Sequence, residues 1–364
     1  MRSKLLLTIA CFMVLVTVAV TGCTPSTSPE AGTPGTPSAP SEKAITWKVQ
    51  TSGAASEFAY KYLEMMCAAV TAGSEGRLVF EPYSAGAIVP ASKEFDGVDQ
   101  GMIHAAYMTP MYLMDKWPTA GLFGARPAGL SAGATRIWYR QEGTALFNEM
   151  IADFDAVVLP GVAVSTPEIW AHSTKELKTV SDLKGLKMRT AGDGGAILSR
   201  LGVATVSMPG GDIYESLQRG VIDAAEAANP ANNWAMGLAE VAKYVLFSET
   251  RAPCDPVVFI ASKSQWAKLN ADQQTLVQTA IQAYTQLQYE DLFFASIAAV
   301  DNFRDFGCVV YHTPADIEAA LLKEADLFYK EKAAADPFLG KVYASQQAFG
   351  ALYNAQLALD VPAV

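Results

Sequence analysis

Arg189 closes the run Lys187-Met188-Arg189-Thr190, which reads as the end of a short strand. In an open α/β sheet, the carboxyl ends of strands border the crevice where ligands bind. A guanidinium at that place can grip a carboxylate through two parallel N–H bonds, which a lysine ammonium cannot do. Tyr107 ends another apolar stretch, 104–109, and offers a ring to pack on ligand carbon and a hydroxyl to donate. Glu226 follows Asp223 at the end of a third strand, where an acid can pair with Arg189 or cap a loop amide. Asp255 is a further candidate contact, without a motif around it.

The chemistry that is missing narrows the classes. Gly192-Asp193-Gly194-Gly195 lacks the Lys-Ser or Lys-Thr pair of a phosphate loop, and reads as a loop feeding a helix. No nucleophile elbow occurs, and His104, His172 and His312 lack zinc-ligand spacing. Cys67, Cys254 and Cys308 form no Cys-x-x-Cys pair or disulfide framework. A formal net charge of −10 argues against nucleic acid, whose phosphates such a surface repels. Carboxylate recognition without a nucleophile and base favours a binding protein over an extracytoplasmic hydrolase. A scaffold protein would leave Arg189 without a ligand, and a binding protein of another importer or a sensor is the remaining alternative.

The elements that must position these residues follow from periodicity. Residues 45–51 alternate as a strand does, and Phe58, Tyr62, Met66 and Val70 then recur on a helix face. Strands are expected at 77–83 and 104–109, with a helix near 92–100 between them. A second series has strands at 156–165, 186–190, 204–208 and 223–228, and helices near Gly194 and Gly211, the latter placing Ile213, Leu217 and Val221 on one side. Such alternation predicts an α/β fold with a largely parallel sheet. A long helix from Ala271 towards Phe303 buttresses both series, and the tail from Pro314 is helical with a break at Asp336-Pro337.

The amino-terminal segment is an address. Arg2 and Lys4 precede an apolar run over 5–20, shorter than the roughly 20 residues a spanning helix needs, and the run ends at Val20-Thr21-Gly22-Cys23. This resembles a lipobox, so 1–22 is read as a lipoprotein signal peptide and Cys23 as the lipidated first mature residue, anchoring an extracytoplasmic protein to the membrane. Residues 24–43 are Pro, Ser, Thr, Gly and Ala-rich without apolar periodicity and read as a tether. The body, 44–364, is expected to form two α/β lobes: roughly 44–160 with part of 255–310, and 161–254 with the C-terminal helices.

The stretch Asp182-Leu-Lys-Gly-Leu-Lys-Met-Arg189-Thr190, followed by Pro209-Gly-Gly-Asp-Ile-Tyr-Glu-Ser-Leu-Gln-Arg-Gly-Val-Ile-Asp223-Ala-Ala-Glu226, resembles the central signature of solute-binding proteins of TRAP (tripartite ATP-independent periplasmic) transporters. Tyr83-Ser-Ala-Gly-Ala-Ile-Val-Pro90 is similar to a loop of the branch that binds 2-oxo acids and lactate. The resemblance spans Ile45 to Tyr353 and implies a two-lobed, hinged periplasmic-binding-protein-like (type II) fold that closes over a small organic acid and delivers it to membrane permease subunits. It implies that Arg189 fixes the ligand carboxylate. It also implies that Glu226, with Glu168 in place of a metal-binding glutamine, sits beside a sodium or calcium ion, although no cofactor is required for binding. Trp170 falls near the same point, and Asn229 matches an asparagine contact of another branch. The chain departs from the oxo-acid pattern after Glu226, where Ala227-Ala228-Asn229-Pro230 replaces a tryptophan; Asn232 offers a second amide. A homodimer through the C-terminal helices is the remaining implication.

Overall fold

The computed structural model describes residues 43–360 apart from positions 209 and 249, so the signal, lipidation and tether expectations, Cys23 among them, lie outside the described residues. Alternation decides the first element. Trp47 and Val49 are fully buried while Thr46 and Lys48 are exposed, giving β1 (Ile45–Thr51). The helix α1 (Phe58–Gly73) buries Leu63, Met66, Cys67 and Val70 against the same sheet. Next come β2 (Leu78–Tyr83), α2 (Glu94–Asp99) and β3 (Ala105–Met108), then α3 (Ala132–Trp138), α4 (Thr144–Met150) and β4 (Val157–Val164).

From β4 the chain crosses to a second sheet. It contributes β5 (Ile169–Ser173), β6 (Lys187–Arg189), α5 (Gly192–Arg200), β7 (Ala204–Val206), α6 (Ile213–Gln218), β8 (Ala224–Ala225), α7 (Pro230–Ala235), α8 (Leu238–Val241) and β9 (Tyr244–Phe247). It then returns as β10 (Pro256–Ala261) and α9 (Lys263–Trp266), enters the long α10 (Ala271–Phe306), adds β11 (Val309–His312), and ends in α11 (Ala315–Ala335) and α12 (Pro337–Asp360). The strand orders are β2-β1-β3-β10-β4 and β11-β9-β5-β8-β6-β7.

Both sheets are mixed, which corrects the expectation of a largely parallel one. β10 runs antiparallel to β3 and β4, and β5 runs antiparallel to β8 and β9. The reason is the double crossing: a strand that re-enters the first sheet from the second arrives in the opposite direction. Val221 also departs from its expected helix face. α6 stops at Gln218, Gly220 turns the backbone at φ +67°, and Val221 is 57% exposed.

α10 begins at a capping box in which Asn270 and Gln273 satisfy each other's backbone N–H, and ends where Gly307 adopts φ +100°. Along its length it packs first on α1 and β4, then on α7 and β11, so one rigid rod runs past both sheets. Asp336 ends α11 and Pro337 opens α12, as the Asp-Pro break predicts. Cys67, Cys254 and Cys308 are buried free thiols. Among the described residues, no helix is long and apolar enough to cross a membrane.

Candidate functional site

Two segments link the sheets, 165–168 and 248–255. The first ends at Glu168 and the second carries Arg251 and Asp255. They lie side by side, because the Glu168 N–H donates to the Ala252 carbonyl at 3.0 Å and Ser165 N–H to the Asp255 carbonyl at 3.1 Å. Parallel pairing of β6 with β8 sets Arg189 opposite Ala225, and the Glu226 N–H continues the ladder to the Arg189 carbonyl at 2.9 Å. The topology thereby gathers Arg189, Glu226, Glu168 and Arg251 at one place.

The Arg189 guanidinium is half-buried and pre-oriented. Its Nε donates to the Met208 carbonyl at 3.2 Å and its Nη1 to the Glu226 carbonyl at 2.7 Å. No partner for Nη2 occurs among the described residues, and a guanidinium has five N–H donors in a fixed plane. Burial, and then the charge of Asp255, push the Tyr112 hydroxyl up from its ordinary range, while the Arg189 charge pulls it back.

Glu226 is buried, and its carboxylate is already engaged. Oε2 pairs with Nη2 of Arg251 and accepts the Thr190 hydroxyl at 2.6 Å, while Arg251 Nη2 also donates to Thr190 Oγ1 at 3.2 Å. Arg251 is only 1% exposed and lies against α5 at Gly194. A Cβ on Gly194 would stand 2.3 Å from Nη2 and 2.5 Å from Cζ, so this helical position has room for hydrogen alone.

Glu168 is buried with its Oε2 lacking a hydrogen-bond partner among the described residues. Burial pushes its carboxyl up from the ordinary range, and the Arg251 and Arg189 charges pull it back. Asp255 is pushed up to about 7, first by burial and then by the Glu168 charge, although the Thr109 hydroxyl donates to it at 3.0 Å. The group therefore holds two guanidinium ions, two glutamates and one reluctant aspartate.

The other expected contacts are placed elsewhere. Tyr107 is fully buried in the apolar core beneath α1 and α10, and its hydroxyl donates to Gln288 Oε1 at 2.6 Å. That hydroxyl is committed to α10, because β3 alternates its faces and Tyr107 falls on the helix side. Trp170 is fully buried in the core of the second sheet, its indole N–H without a partner among the described residues. Asn229 caps α7, its side-chain oxygen accepting the Asn232 N–H at 3.1 Å. Asp223 is tied to Lys175 at 2.8 Å and to the Lys187 N–H at 3.1 Å.

Arg251, Thr190 and Tyr112 were not singled out in the sequence. Arg251 stands in Thr-Arg-Ala-Pro-Cys-Asp, between two apolar strands and without a motif; the glycine it packs on, Gly194, lies far from it in sequence. A buried partner of that kind is legible only in three dimensions.

Similar proteins agree with this architecture. Residues 49–336 match the family model DctP, bacterial extracellular solute-binding protein, family 7. A Nostoc sp. protein named monocarboxylate 2-oxoacid-binding periplasmic protein all3028 is 29% identical over 339 residues, covering 92% of this chain and 90% of that protein. A TRAP periplasmic solute binding protein from Colwellia psychrerythraea, solved with bound calcium and pyruvate, superposes with a TM-score of 0.82 at 24% identity over 87% of this chain and 97% of its own. One from Pseudoalteromonas atlantica T6c, with bound sodium and pyruvate, gives 0.80 at 23% identity over 88% and 100%.

Proposed function

The chain belongs to the DctP family of bacterial extracellular solute-binding proteins, family 7, and from that premise we propose that it captures a small organic acid by its carboxylate and delivers it to the membrane permease of a TRAP-type transporter, catalysing no reaction. The observation that carries the reading is the Arg189 guanidinium, held by two backbone carbonyls so that its remaining N–H donors are fixed in direction before any ligand arrives. Such a fork loses little freedom on meeting a carboxylate. The relative named for monocarboxylate 2-oxo acids and the neighbours solved with pyruvate support the same ligand class.

Capture is coupled to closure. α5 opens the second lobe's side of the site, and a Cβ on Gly192 would lie 3.8 Å from Met111 Cε and from Met114 Sδ, in the segment that follows β3. A ligand that bridges Arg189 and this segment favours the closed form by its differential affinity. In this reading the protein works outside the cytoplasm, tethered by lipid on Cys23, and pairs with a second copy through the C-terminal helices, where Leu352 and Leu359 of α12 are 73% and 80% exposed.

The neighbours' calcium and sodium raise the question of a metal here, for which Glu226 and Glu168 are the candidates. The residues do not fit. Glu226 already faces Arg251 and Thr190, and among the described residues no group of three or more His, Cys, Asp or Glu could hold a metal ion. The test of the reading is calorimetric titration of natively purified protein with pyruvate, lactate, 2-oxobutyrate and malonate. Binding of at least one acid is expected, and silence across the set, with amides of the same acids equally silent, would remove the carboxylate assignment.

A further inference from the structure

We propose that in this chain the Arg251 guanidinium takes the part of a metal ion beside the bound acid, so that carboxylate capture is metal-independent; this rests on the binding reading above. Two features carry this: charge at both glutamates and, at Glu226, oxygens already in use. Both glutamates of the site are matched by arginines: Glu226 pairs with Arg251, and Glu168 lies within the fields of Arg251 and Arg189. An arriving carboxylate therefore meets Arg189 without needing a cation to screen the acids behind it.

The same arrangement works against a metal. Calcium takes six to eight oxygen ligands in a shell of carboxylates, carbonyls and water. Here the Glu226 carbonyl is spent on Arg189 Nη1, and Glu226 Oε2 on Arg251 and Thr190. A cation drawn to the remaining Glu226 oxygen would approach two guanidinium ions that cannot shed their charge. Arg251 is fixed where it is by burial, and Gly194 leaves it the space. Gly194 is thus part of the device: a helix position kept bare so that a guanidinium can rest on it.

The experiment uses the mature protein, stripped with EDTA and dialysed into a potassium buffer. Calcium chloride is titrated in with heat and melting temperature as readouts, and pyruvate binding is compared in EDTA with potassium, in calcium and in sodium. The expected results are no heat of calcium binding, a melting temperature unchanged within about 1 °C, and pyruvate affinities equal within about twofold. Arg251→Gln should acquire a calcium-dependent rise in melting temperature, because Glu226 and Glu168 then lose a counter-charge. Stoichiometric calcium in the natively purified protein, removed by EDTA with a fall in melting temperature, would overturn the proposal. So would a fall in pyruvate affinity of about tenfold or more on chelation, or a folded Arg251→Gln protein indifferent to calcium. Should Arg251→Gln fail to fold, the calcium titration of the unaltered protein decides by itself. If pyruvate binds in no buffer, pyruvate fails as ligand, while the calcium titration still decides the role of Arg251.

Discussion

A buried polar cluster lies beside each sheet, and the two are built from different groups. In the first lobe the side-chain amide of Gln50, fully buried, holds the segment after β2: its oxygen accepts the Ile88 and Val89 N–H groups at 2.9 and 3.1 Å, and its nitrogen donates to the Val89 carbonyl at 2.9 Å. The amide is neutral and satisfied on both ends, and its nitrogen also donates at 3.3 Å to Oε1 of the buried Glu94, whose Oε2 has no partner among the described residues. Where the segments 165–168 and 248–255 meet the end of β6 and β8, acids and guanidinium groups are set against one another, and two buried atoms, Glu168 Oε2 and Arg251 Nε, lack partners among the described residues. A satisfied neutral amide fixes a shape. Acids and guanidinium groups packed together and left partly short of partners carry a larger cost, which a structure built for stability alone would avoid.

The largest effect expected from this contrast is Arg251→Ala. Removing one partner of a buried ion pair strands the other, and unfolding in urea should show a loss of about 3–5 kcal/mol. Gln50→Leu should cost about 1–3 kcal/mol by leaving backbone groups of 88–89 unpaired, with carboxylate affinity little changed; a large loss of affinity instead would mean that the two clusters are coupled. Arg189→Ala should weaken acid binding by at least about tenfold, or about 1.4 kcal/mol, with a near-normal melting temperature, and Arg189→Lys should restore part of it. Calorimetry on the identified acid, with circular dichroism for folding, measures both.

The smallest effect concerns acid stability and tests whether buried polarity away from the charge cluster is purely structural. His172 is fully buried beside Phe303, and burial lowers its pKa to about 3. The unfolded chain takes up a proton near the usual histidine value of about 6.5, whereas the folded one refuses it, so stability present above that pH falls as the pH drops towards about 3. His172→Leu should remove this component, narrowing the difference in melting temperature between pH 7.5 and pH 4.5. An unchanged difference would assign acid sensitivity to other groups.

What could be read in advance was set by physical locality. β1 was legible to the residue because Trp47 and Val49 alternate with polar neighbours, and α10 because its caps and period are local. β5 and β10 are buried along most of their length, so they show no alternation, and their antiparallel direction depends on a chain path no short window contains. Arg189 is a legible candidate because it ends a recognisable strand; Tyr107 ends an apolar stretch as well, but the face it takes is not visible in the sequence. Arg251 was illegible for the same reason as β10, since Glu226 follows β8, Thr190 follows β6, and Gly194, against which it packs, lies in α5.

The place of β10 in the first sheet bears on how the protein is made. It lies between β3 and β4, yet it is reached only after the second sheet's β5 to β9 have been laid down. Until residues 256–261 arrive, β3 and β4 present unpaired edges that invite pairing with any passing strand. The first lobe therefore cannot mature as the chain emerges, and its completion waits on contacts distant in sequence, which slow folding. A fragment ending after β4 should aggregate, and adding the β10 segment back through a circular permutation should rescue it, making the return strand the clasp on which assembly of the whole body depends.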